Sequence, residues 1–127
     1  MTEKELQLSI ENVCFSSDGK NELYVDLECV GDTSPDYSGV NVDLYNGDKW
    51  IGSEWCDKRC RVKVDARELK LQSGQTNIVP ITIEARRPDN DWDGTQDVKK
   101  YPLVASKIVE VAIYHERRIF KNVIEIR

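Results

Sequence analysis

From Leu6 to Phe15 apolar residues take alternate positions, at Leu6, Leu8 and Ile10, and then slip phase to continue at Val13 and Phe15. Strict alternation puts one side of a strand against a core. A slip of one residue moves the apolar set to the other side unless a bulge absorbs it, so a first strand with a bulge is expected here. Leu23, Val25, Leu27 and Cys29 make one face of "LYVDLEC", and Tyr24, Asp26 and Glu28 make the other. Cys29 therefore belongs to the core face. Val40, Val42 and Leu44 repeat the pattern. So do Cys60, Val62 and Val64, then Val79, Ile81, Ile83 and Ala85, then Val109, Val111 and Ile113. Phe120, Ile124 and Ile126 close the chain in "RRIFKNVIEIR".

Turn chemistry separates these runs. Asp18-Gly19 and Asn46-Gly47 offer the backbone freedom of tight reversals, and "HERR" joins the last two strands as a hairpin. Ala66 to Leu71 reads as a strand or a single helical turn, ended by Gly74. Pro80 lies inside an alternating run and fits an edge strand or a bulge better than a central strand. Trp50 and Trp55 in "WIGSEW" are five apart, so on one continuous strand they face opposite sides. This reading puts Trp50 inside and Trp55 outside. Seven or eight strands without a helix of ordinary length predict an all-β fold. It is read as a single antiparallel immunoglobulin-like β-sandwich spanning residues 1–127.

Two stretches carry resemblances. "LKLQSGQTNIVPITIEA" resembles the middle of many immunoglobulin-like modules, which implies the fold and leaves function open. "LQLSIENVCFSSDGKNELYVDLE" with "DKWIGSE" resembles a C2 domain, a calcium-dependent lipid-binding sandwich. Glu22-Leu23-Tyr24 stands where that family has aspartate-proline-tyrosine, and no site residue is carried over.

At 127 residues a single domain buries about two thirds of its unfolded surface and needs no staple. Its 18 Lys+Arg against 23 Asp+Glu give a net charge of -5, which argues against a phosphate-binding surface and against nucleic acid as a partner. The start "MTEKELQLSI" has no basic region leading into an apolar run, and nothing approaches a membrane-spanning length. The expected compartment is the cytoplasm, or the exterior for a chain whose signal peptide has been removed. Cys14, Cys29, Cys56 and Cys60 allow three full pairings, and the reducing cytosol keeps them as thiols. The spacing of Cys56 and Cys60 does not match a zinc knuckle.

Candidate chemistry concentrates in "RRPDNDWDGTQD". Asp89, Asp91, Asp93 and Gly94 occupy positions 1, 3, 5 and 6 of a calcium loop, with the Thr95 carbonyl at 7 and Asp97 at 9. Lys100 replaces the bidentate glutamate at position 12, so a calcium site built on Asp89, Asp91, Asp93 and Asp97 is expected to be weak. The alternative is a polar loop balanced by Arg86, Arg87, Lys99 and Lys100. Trp92, between two of the aspartates, either presents an indole to a partner or folds back over the sandwich edge. With Trp55 it is the candidate partner-binding pair. Carbohydrate stacking would need two indoles coplanar on one surface.

His115 is the single histidine, and a thiol of Cys56 or Cys60 is its conceivable nucleophilic partner. No oxyanion-stabilising turn, phosphate loop or serine elbow accompanies it. The leading expectation is a non-catalytic module that binds another protein through a sheet edge or end loops. A calcium-dependent binding module using residues 89–97 is the alternative, and a small thiol-dependent enzyme the third.

Overall fold

The computed structural model describes residues 6–17, 21–30, 39–88, 92, 94, 97–116 and 121–127. Its strands are β1 (Gln7–Phe15), β2 (Glu22–Val30), β3 (Val40–Asn46), β4 (Lys49–Cys56), β5 (Arg59–Asp65), β6 (Gln75–Arg86), β7 (Leu103–Glu116) and β8 (Lys121–Ile126). They form two antiparallel sheets, one in the order β1-β2-β5 and one in the order β4-β3-β6-β7-β8. The expected all-β sandwich of seven or eight strands therefore has eight among the described residues.

The alternation read from the sequence becomes the packing. Leu23, Val25, Leu27 and Cys29 of β2 lie with Val62 and Val64 of β5 in one buried cluster. That cluster also takes in Val40, Val42 and Leu44 of β3 and Ile81, Ile83 and Ala85 of β6. Burying each such aliphatic side chain contributes about 1.5–3 kcal/mol. The phase slip in β1 is a bulge at Glu11, since Ile10 pairs with Leu27 and Asn12 with Asp26. It lets Leu8 and Ile10 on one side of the slip, and Val13 and Phe15 on the other, share one face.

The segment after β5 is a single 3-10 turn, Ala66–Leu69, capped by the Asp65 carboxylate, which accepts from the Arg67 amide. Gly47 takes φ 63° in the reversal between β3 and β4. The Asp18-Gly19 reversal, Phe120 and the "HERR" linkage after Glu116 fall wholly or partly outside the described residues, although β7 and β8 pair antiparallel as expected.

Pro80 departs from expectation by standing in β6, which has neighbours on both sides. β3 pairs β6 only from Thr82 to Arg86, so Pro80 lies beyond that overlap. Its carbonyl accepts from Asn46 Nδ2 at 2.9 Å. The missing N–H of the proline points the same way, toward a side where no strand needs it.

Candidate functional site

β4 carries the largest correction to the sequence reading. Leu44 of β3 pairs with Gly52 and Tyr45 with Trp50, leaving Ile51 as the extra residue of a bulge. Ile51 and Gly52 both turn inward and are buried. The parity of the strand therefore changes between the two tryptophans. Trp50 and Trp55 share the outer face instead of opposing each other, and Trp50, expected inside, is 54% exposed. Gly52 fits this position because a Cβ there would meet the Lys63 carbonyl oxygen at 2.8 Å and Val62 Cγ1 at 2.9 Å. Its absent side chain lets β4 lie against β5.

The cross-strand register lays out that outer face in rows. Trp55, Asn41, Arg86 and Leu103 form one row; Ser53, Asp43, Glu84 and Ser106 the next; Trp50, Tyr45, Thr82 and Ile108 the third. Further along, Ile78 pairs with Ala112, and Tyr114 with Val123. Eight large hydrophobic residues are exposed among the described residues. Six of them, Trp50, Trp55, Ile78, Leu103, Ile108 and Val123, stand on this one face, and Ile108 is 68% exposed. Scattered exposed hydrophobics are ordinary, and it is their concentration on one side that sets this face apart from the other.

The opposite outer face, on the three-stranded sheet, has another character. Arg61 forks onto Asp26, with bonds of 2.8 and 3.2 Å, and its guanidinium lies 4.9 Å from the Tyr24 ring centroid. Arg59 bridges Glu28 and Glu11. Arg61 with Asp26 and Arg59 with Glu28 are directly opposed cross-strand partners of opposite charge, a solvated arrangement. The hydrogen bond from Arg61 holds the Asp26 carboxyl below its ordinary range.

A polar centre is set into the apolar face. Asn41 and Asp43 are both buried. Asp43 accepts from Asn41 Nδ2 at 2.9 Å and from Trp50 Nε1 at 3.0 Å. Burial pushes the Asp43 carboxyl above its usual range, and the Trp50 hydrogen bond opposes that shift. Burial, then nearby Asp43, also raises Tyr45. Arg86 reaches Glu84 at 3.5 Å and donates to the Tyr101 carbonyl at 2.9 Å. It thereby ties the residues just before β7 to the end of β6. Arg86 Nε is buried without a partner. Lys99 Nζ stands 5.7 Å from the Tyr45 ring centroid.

This same connection contains the proposed calcium loop. Asp89, Asp91 and Asp93 lie outside the described residues. The Asp97 carboxylate accepts from the Lys99 amide at 3.0 Å and caps a second 3-10 turn, Val98–Lys100. Among the described residues no group of three or more acidic, histidine or cysteine side chains is arranged to hold a metal ion. Trp92 folds back onto the edge strand, its ring stacked on Trp55 with centroids 6.2 Å apart and planes inclined by 26°. The candidate pair is thus brought together, as a stack of one indole over the other. That is not the side-by-side coplanar pair that sugar stacking would need. Gly39, at φ 112°, lies beneath it: a Cβ there would be 2.6 Å from Trp55 Nε1.

The thiol and histidine of the third expectation are kept apart. His115 pairs with Gln75 at the start of β6 and stacks on Phe15, with ring centroids 5.3 Å apart. Cys56 pairs with Val40 near the other end of the sheet. β6 runs the length between them, about 35 Å at 3.3 Å per residue. A groove of about 640 Å³ opens between β4 and β5, with Trp50 and Ser53 on one side and Lys63, Asp65 and Arg67 on the other.

Sequence reasoning missed Asn41, Asp43 and Arg86 as site residues. "VNVDLYN" already turned Asn41 and Asp43 away from the core. What it lacked was the pairing of β3 between β4 and β6 and the bulge that brings Trp50 Nε1 to Asp43. No helix of the described residues is long and apolar enough to cross a membrane. No protein-family model, curated protein or solved structure matches this chain.

Proposed function

We propose that this chain is a non-catalytic interaction module that docks another protein on the outer face of its five-stranded sheet. The observation that carries this reading is the gathering of Trp50, Trp55, Ile78, Leu103, Ile108 and Val123 on one sheet face, opposite a face laced with ion pairs. Interfaces combine an apolar and aromatic centre with a polar rim. Here Ile108 shares a row with Trp50 and Tyr45, and Thr82, Ser106 and Glu110 stand beside it. Trp50 is an aromatic anchor already oriented by Asp43, so little of its freedom is lost on docking. Glu110 and Glu125 are exposed beside the patch, and the chain carries a net charge of -5. A partner with an apolar centre and a basic rim complements both features.

The test is affinity capture from native extract with three proteins. They are the parent, a double variant Leu103→Glu with Ile108→Glu, and a control, Val30→Glu, at an exposed position on the other outer face. Exposed substitutions of this kind change stability by about 0.5 kcal/mol or less, so all three should fold alike. A protein retained by the parent and the control and lost by the double variant supports the reading. Equal capture by all three refutes it. So does sedimentation in which the purified parent dimerises and the double variant does not, because a second copy would then be what covers the face.

A further inference from the structure

Cys29 of β2, Cys56 of β4 and Cys60 of β5 meet inside one end of the sandwich. The Cys29 thiol donates to Cys56 Sγ across 3.2 Å, and both residues are buried. Cys56 is hydrogen-bonded in turn to Cys60. Cys60 is half-buried and lines a groove of about 330 Å³ with Glu11, Asp26, Leu27 and Arg59. The short reversal between β4 and β5 fixes this grouping. Lys58 adopts φ 74° there, and its carbonyl accepts from the Cys29 amide at 2.6 Å. A path of three sulfurs therefore runs from the surface to the core and crosses between the sheets.

We propose that Cys29, Cys56 and Cys60 form a thiol-exchange site that receives a low-molecular-weight disulfide, such as oxidised glutathione, at Cys60 and retains the oxidation as a Cys29–Cys56 bond joining the two sheets. The Cys60 thiolate attacks one sulfur of the small disulfide, forming a mixed disulfide and releasing one thiolate. Cys56 then attacks Cys60 Sγ and expels the second small thiolate. Cys29 attacks Cys56 Sγ and returns Cys60 to its thiolate. One external disulfide is reduced to two thiols, Cys29 and Cys56 are oxidised to one disulfide, and their two protons end on the released thiols.

The hydrogen bonding suits this order. Donation from Cys29 and Cys60 favours the thiolate at Cys56 and keeps the other two protonated. Shifting one proton along the Cys60–Cys56 hydrogen bond moves the nucleophile to the sulfur that a disulfide reaches. Cys14, which pairs with Tyr24 in β1 and β2, stands outside the path.

The experiment incubates the folded chain with excess oxidised glutathione, blocks remaining thiols by alkylation and maps the peptides by mass spectrometry over time. The expected product links Cys29 to Cys56 and leaves Cys60 alkylated. Cys60→Ser is expected to slow that link by about tenfold or more, because the buried pair then has no accessible sulfur through which to exchange. Cys29→Ser is expected to halt at a glutathione adduct on Cys60 or a Cys56–Cys60 bond. Glutathione found on Cys14 alone, or a Cys29–Cys56 link that forms only in denaturant, would overturn the proposal from the parent chain without any variant. An unchanged rate in folded Cys60→Ser would overturn the role given to Cys60.

Discussion

At Asp43 a charge is held where water is scarce. Its two hydrogen bonds, from Trp50 and Asn41, do not outweigh the cost of burial, so its carboxyl keeps a proton to higher pH than in the unfolded chain. Between 3.8, the ordinary value, and the raised folded value, the folded state binds more protons. Stability from this group is full below 3.8 and is lost as pH rises through the folded value. Asp43→Asn removes that loss while keeping an oxygen for Trp50, with the Asn41 amide reversing to suit. Urea denaturation of parent and variant across the range from below 3.8 to neutrality is expected to show the difference moving in the variant's favour as pH rises. A constant difference would mean that Asp43 is not desolvated. Asp26, Asp65 and Glu28 contribute in the opposite sense, since hydrogen bonds from arginine lower them. Their contributions are lost as pH falls, equally in both proteins, and cancel in the comparison.

β4 turns a local irregularity into an outer face that carries both tryptophans. Without the bulge at Ile51, either Trp50 or Trp55 would point into the core. Ile51 itself fills space between the sheets, being 5% exposed, so Ile51→Ala is expected to cost about 2–5 kcal/mol in urea denaturation. A loss below about 0.5 kcal/mol would place Ile51 outside the core. Strand existence was largely legible in the sequence, because period-two alternation survives in β2, β3, β5 and β6. The bulge in β1 was legible too, since its apolar residues change phase on the page. In β4 the apolar set is too sparse to display a phase change, and continuous parity gave the wrong side for Trp50. A signal was present in Gly52, because glycine inside a strand marks a bulge or a close approach, and both occur there.

For the whole molecule the informative contrast lies between its two outer faces. Arg59, Arg61 and their carboxylate partners cover one with cross-strand charge pairs, while the other leaves Trp50, Ile78, Leu103, Ile108 and Val123 in water. Such a contrast depends on which strands become neighbours, and alternation within a strand carries no information on pairing between strands. The return of Trp92 over the sandwich edge was one of two alternatives open in the sequence, but its stacking on Trp55 and the binding of the Tyr101 carbonyl by Arg86 were not legible, since both join residues distant in sequence.

The most direct measurement of the central claim places a photo-crosslinking residue at position 108 in one protein and at position 30, on the other outer face, in another, then irradiates each in native extract. The docking account expects a discrete crosslinked protein from position 108 and none in common from position 30. Crosslinking of the same proteins from both positions, or from position 30 alone, would contradict it.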